Sequence, residues 1–152
     1  MSHRPMGIWR GTALPLLLAL LGACRSADEV DLLPTFSVSL DEWLASRPLG
    51  QGEDLRVDDL HAGKDASLHL VQTRVGVRPH YHRDRDETVV GLRGEARMVV
   101  AGETIRVRPG VVVHVPRRMV HEARVESGAP CAVLTIFTPP FDGKDRIFLE
   151  DP

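Results

Sequence analysis

His80-Tyr81-His82-Arg83-Asp84-Arg85-Asp86-Glu87-Thr88-Val89-Val90-Gly91-Leu92-Arg93-Gly94 is the stretch that fixes how the chain folds. Side chains alternate faces along a strand, so His80 and His82, two residues apart, direct both imidazoles to the same side. Arg83 to Asp86 are charged and form a turn, and Glu87 then opens a β-branched run that ends at Leu92. A third imidazole, His121, heads a later strand just after a turn containing Pro116. Three neutral imidazoles and one carboxylate form the donor set of a divalent-metal site. No thiolate accompanies them, so Fe, Mn, Ni and Zn all suit the site and one such ion is the expected cofactor. Ligands drawn from distant stretches need strands that hold their directions before the ion arrives.

Outward from this stretch the same pattern repeats. Runs at 67–75, 87–92, 95–101, 104–108, 111–115, 120–125 and 132–138 are rich in Val, Ile, Leu and Thr and are cut by Gly or Pro. These read as short strands joined by tight turns, with Ala101-Gly102 turning one hairpin and 146–149 packing back as an edge strand. Without interleaved helices, they argue for an antiparallel sandwich or barrel rather than a parallel sheet. One short helix is expected at 39–47, with Ser39 as its N-cap, Leu40, Trp43 and Leu44 on one face, and Pro48 and Gly50 to stop it. At 152 residues, 43% of them hydrophobic, the chain suits one domain.

The spacing resembles the two motifs of the cupin superfamily, small jelly-roll β-barrels that carry a metal inside. His80, His82, Glu87 and Gly94 match the first motif; Gly110, Pro116 and His121 match the second. The resemblance covers roughly 67–138 of a cupin domain at 36–152. It implies an all-β jelly-roll barrel with His80, His82, Glu87 and His121 as metal ligands, and a small-molecule substrate or ligand. Three positions depart from the pattern. Arg74 stands where the leading glycine belongs, with Gly76 two residues later; Arg118 replaces the glycine after Pro116; Val125 replaces a terminal Asn.

Four protein ligands leave one or two positions open, as in a catalytic rather than a structural site. Oxygenase-type chemistry is the leading expectation, a metal-dependent dioxygenase. Non-redox isomerisation or decarboxylation, or a non-catalytic ligand- or metal-binding protein of the envelope, are the alternatives. Arg78 shares strand parity with the two histidines, so its guanidinium is the candidate to bind a substrate carboxylate. Tyr81 faces away from them, and Met98 is expected to line the cavity as apolar wall. The loop 83–86 reads as solvated. His61, His69 and His114 read as ordinary satisfied histidines, and Cys131, within a strand-like run, as a buried inert thiol.

The first 23 residues read as a signal peptide: Arg4 and Arg10 without an acidic residue, then an apolar run of about ten residues, too short for the ~20 of a membrane span. Leu21-Gly22-Ala23-Cys24 resembles the lipobox of bacterial lipoproteins, which makes Cys24 the lipidated N-terminus and 24–35 a tether. The expected location is the bacterial cell envelope, with the lipid anchor as the sole membrane contact. A net charge of -2, with acidic and basic residues mixed, lacks the basic stripe that phosphate neutralisation needs, so no nucleic acid is expected as partner. The sequence leaves the oligomeric state open, with a homodimer through outer strands, as cupin barrels often form, as one alternative.

Overall fold

The computed structural model describes residues 35–126 and 128–149. The signal peptide, the lipidated Cys24 and the tether up to residue 34 lie outside the described residues. A short helix, α1 (Leu40–Ser46), precedes ten strands: β1 (Leu55–Ala62), β2 (Ser67–Thr73), β3 (Gly76–His82), β4 (Asp86–Arg93), β5 (Ala96–Val100), β6 (Glu103–Val107), β7 (Val112–Val115), β8 (His121–Val125), β9 (Cys131–Thr138) and β10 (Arg146–Phe148). They form two five-stranded sheets, ordered β1-β2-β9-β4-β7 and β10-β3-β8-β5-β6, and every pairing is antiparallel. The fold is antiparallel and all-β, as the strand pattern implied, and it is the jelly roll that the resemblance implied.

The sheets close on one another through alternate side chains. Val89 of β4 and Val113 and Val115 of β7, from the first sheet, pack with Met98 of β5 and Val107 of β6, from the second. Each such side chain stabilises the fold by roughly 1.5–3 kcal/mol through apolar area removed from water. A smaller cluster of Leu44, Leu70 and Ala132 lies where α1 packs against the first sheet, with Leu40 and Trp43 around it. Ser39 caps that helix, accepting from the Glu42 amide at 3.3 Å, and the Trp43 indole donates to Asp58 at 3.2 Å.

β1 was not among the runs read from the sequence. Leu55 and Val57 do alternate with Arg56 and Asp58, but the pairing with β2 slips between Asp59 and His61, so the period is broken by charge after four residues. It forms the outer edge of its sheet, where one apolar face suffices. The Ala101-Gly102 hairpin is as expected: φ is +51° and +86°, the two left-handed residues of a type I′ turn between β5 and β6.

Two loop positions bear on two of the three departures from the motif pattern, those at Arg74 and Arg118. Gly76 has φ +117°, and a Cβ there would sit 2.0 Å from the Ala123 carbonyl oxygen on β8, so the glycine is required at 76, while the Arg74 side chain donates to the Leu49 and Gly50 carbonyls. Arg118 takes φ +65°, the left-handed conformation that the motif's glycine supplies without strain. Its amide donates to the His82 carbonyl at 2.6 Å, which ties the β7–β8 turn to the end of β3.

Candidate metal centre

Three strands bring the site together. β3 carries His80 and His82 on its inner face, β4 presents Glu87 as its second residue, and β8 begins at His121. His80 and His121 are paired directly across β3 and β8, with ring centroids 4.1 Å apart. Pro79, which has no N–H to give to the ladder, lies within a register slip between Val77 and His80. All four side chains are buried, and one ligand atom from each lies within 4.8 Å of the others. Ligands about 2.0–2.2 Å from a shared ion are at most ~4.4 Å apart, so a contraction of a few tenths of an ångström accommodates a metal.

The donor atoms fit such an ion. Nδ1 of His80 lies 2.8 Å from the Arg78 carbonyl and Nδ1 of His121 lies 2.9 Å from the Met119 carbonyl. A carbonyl only accepts, so each Nδ1 carries the proton and each Nε2 presents a lone pair inward. Nε2 of His121 then faces a Glu87 carboxylate oxygen at 3.0 Å, two lone-pair atoms that need a cation between them. His82 approaches the same oxygen at 3.5 Å, and neither of its ring nitrogens has a hydrogen-bond partner although both are buried. Burial holds the His80 imidazole far below its ordinary value, at about 3. At neutral pH it is therefore the neutral imidazole that ligation requires.

The site lies on the wall of a cavity of about 70 Å³ lined by His80, Glu87 and His121 together with Val71, Val89 and Met98.

The family model described as a cupin domain matches residues 68–137. An uncharacterized protein of Aquifex aeolicus (strain VF5) is 31% identical over 109 residues, 72% of this chain and 89% of its own length. L-ectoine synthase of Hyphomonas neptunium (strain ATCC 15444) is 30% identical over 121 residues, 76% of this chain and 81% of the enzyme. This chain belongs to the cupins. The cupin's fold is shared by TT1209 from Thermus thermophilus, with a TM-score of 0.61 and 21% identity over 70% of the cupin and 100% of that chain.

The other residues singled out in the cupin's sequence fall as follows. Arg78 is exposed, its guanidinium 4.8 Å from the centre of the Phe148 ring, and it is not part of the cavity lining. Met98 does line the cavity. Cys131 is buried, and burial pushes its thiol up, so it stays protonated and unreactive at neutral pH. His69 is held between Asp59 at 2.7 Å and the Ser67 hydroxyl at 2.8 Å, and His114 meets the Thr88 hydroxyl at 3.1 Å.

The loop 83–86 is only partly solvated, which corrects the reading from charge alone. Arg85 is 9% exposed and lies 2.8 Å from the carboxylate of Asp145, itself 7% exposed. Asp145 also accepts from the amides of Arg83 and Asp84, both at 3.2 Å, and stands 4.0 Å from Nδ1 of His82. Asp86 turns outward to Arg117, which brackets both its oxygens at 3.1 Å. Sequence reasoning missed Asp145 because it lies 63 residues beyond His82, in a tail with no motif. It also missed Phe137 and Phe141, whose rings pack edge-on to His82 at 4.9 and 5.5 Å.

Proposed function

We propose that this cupin is a metalloenzyme acting on a small molecule held in the barrel cavity, with His80, His82, Glu87 and His121 holding one divalent ion, Fe, Mn, Ni or Zn. The observation that carries the reading is the buried quartet: carboxylate and imidazole lone pairs converge on the wall of an apolar cavity, and no protein cation stands among the four. Arg146 lines the same cavity but makes no ion pair with Glu87, so lone pairs that converge this closely are costly to bury, by several kcal/mol on the scale of buried polar groups, unless an ion joins them. A divalent ion there would polarise an oxygen-bearing ligand, and iron would add redox chemistry. The chain's own residues do the rest. Arg78 and Met119 carbonyls fix two ring orientations, and the valine-rich lining excludes water and so strengthens every charge interaction inside.

Oxygenase-type chemistry is the reaction class we favour, for a thiolate-free donor set with open positions suits Fe(II). A non-redox conversion is the second reading; the relative named L-ectoine synthase is a small-molecule synthase whose name specifies no oxidant. Metal analysis of the purified protein should give about one ion per chain. The His121→Ala variant should lose that ion while keeping its β-rich circular dichroism, and an unchanged metal content would remove the ligand assignment. Oxygen uptake with a panel of small acids and phenols separates the two reaction classes.

For location, we propose an envelope lipoprotein tethered through Cys24, supported by the lipobox-like Leu21-Gly22-Ala23-Cys24. Cys24→Ser should leave the membrane fraction; retention there with unchanged processing would overturn the anchor.

A further inference from the structure

Arg146 opens β10 and stands directly opposite His82 in the pairing of β10 with β3. Directly opposed residues share a face, so its side chain enters the barrel on the side of His80 and His82 and lines the cavity with Glu87. Its Nε is buried and has no hydrogen-bond partner, and among the described residues it makes no ion pair. The Phe141 ring centre lies 5.6 Å from its guanidinium carbon. The buried Arg85, by contrast, is matched by Asp145 and Asp142, at 2.8 and 3.3 Å.

A guanidinium cannot shed its proton to relieve burial, so Arg146 keeps its charge in an apolar cavity. The other carboxylate on the lining besides Glu87, that of Glu122, lies 3.9 Å from Arg124. With a divalent ion on the quartet, the cavity holds three positive charges against the one negative charge of Glu87, and only an incoming anion redresses this. The planar fork of a guanidinium matches a carboxylate through two parallel hydrogen bonds. The cavity's size, about 70 Å³, gives room for about five waters, or a ligand with about that many non-hydrogen atoms.

We propose that Arg146 is the anion anchor of the cavity and that the ligand it selects is a small carboxylate, held on the guanidinium with its remaining atoms toward the quartet. The proposal deepens the metalloenzyme reading and rests on it for the ion's share of the positive charge. It moves the carboxylate-binding role from Arg78, which is exposed against Phe148, to a residue of the short final strand that lies within the cavity itself.

The test titrates acetate, with acetamide as its neutral counterpart, into the zinc-loaded protein and follows amide chemical shifts by NMR, with zinc content measured on each sample. Wild-type protein should bind acetate saturably. Arg146→Gln should weaken acetate by about tenfold or more, the loss expected for a charge-assisted pair, at unchanged zinc content. Arg146→Lys, which keeps the charge without the fork, should fall between the two and decides the matter if the Gln variant does not fold. Equal acetate affinity in wild type and variants, with zinc in place, overturns the anchor and leaves the metal reading standing. Zinc failing to bind the wild type overturns the metal reading instead, and the same titration on the metal-free protein then tests Arg146 alone: loss of acetate binding in Arg146→Gln supports the anchor, and equal affinity overturns it.

Discussion

Glu87 and Val89 are two residues apart on β4, point to the same side of the same sheet and line the same cavity, yet one belongs to the polar half of the barrel interior and the other to the apolar half. Glu87 joins three imidazoles; Val89 joins Met98, Val107, Val113 and Val115. One half is held by apolar burial, where truncation enlarges a void at a cost in stability. The other is polar, short of partners and held in place by its scaffold. The difference teaches that folding and metal ligation draw on separate side chains even where these are adjacent, so a substitution in the apolar half should spare the metal.

Met98→Ala offers the largest effect and the most direct way to break this division. Met98 is 4% exposed and central to the apolar half, so its truncation should destabilise the fold by about 2–4 kcal/mol, the lost transfer energy plus the cavity left behind. Metal content should stay at that of the wild type below the melting temperature. Chemical denaturation paired with elemental analysis checks both, and loss of metal from the folded variant would show that the halves are coupled.

Asp145 is where the division should fail. Its carboxylate is paired with the buried Arg85, accepts two loop amides and stands near His82. Asp145→Asn should weaken zinc affinity by less than the roughly ten- to hundredfold cost of losing a hydrogen-bonded ligand partner, because the carboxylate stands 4.0 Å from Nδ1 of His82 and acts through the loop it holds. It should also lower the melting temperature of the metal-free protein, because Arg85 is left without its closest counter-ion. Zinc competition against a chelator and a melting curve of the metal-free variant give the two readouts. A normal affinity with a lowered melting temperature would confine Asp145 to the scaffold.

The same contrast explains what the sequence disclosed. His80, His82 and Glu87 were legible from strand parity and one turn, whereas His121, 34 residues beyond Glu87, joined them through the resemblance to the second cupin motif. The strands followed from β-branched runs cut by glycine and proline, and the Ala101-Gly102 turn from its chemistry. Asp145 and Arg146 were not legible as site residues, since their roles come from β10 docking against β3, a pairing between segments 64 residues apart at Arg146 and His82. Arg85 misled for a related reason: four alternating charges look solvated until a carboxylate from the tail covers one of them. β1 hid its alternation behind charges and a register slip.

Arg118 gives the smallest effect and the sharpest view of the boundary between halves. It occupies the motif's glycine position at φ +65°, which costs a non-glycine residue roughly 1–2 kcal/mol, and its side chain makes one exposed bond, from Nε to the Arg83 carbonyl at 3.3 Å. Arg118→Gly removes the strain but adds about 0.5–1 kcal/mol of chain entropy to be lost on folding. The net should be a stabilisation of about 0.5–1 kcal/mol, read as a higher denaturation midpoint at unchanged denaturant dependence. Its amide still donates to the His82 carbonyl, so the turn that leads into His121 keeps its place and metal content should not change. A stabilised variant with weakened metal binding would mean that strain at residue 118 helps aim His121, and the scaffold would then be giving up stability for the geometry of the site.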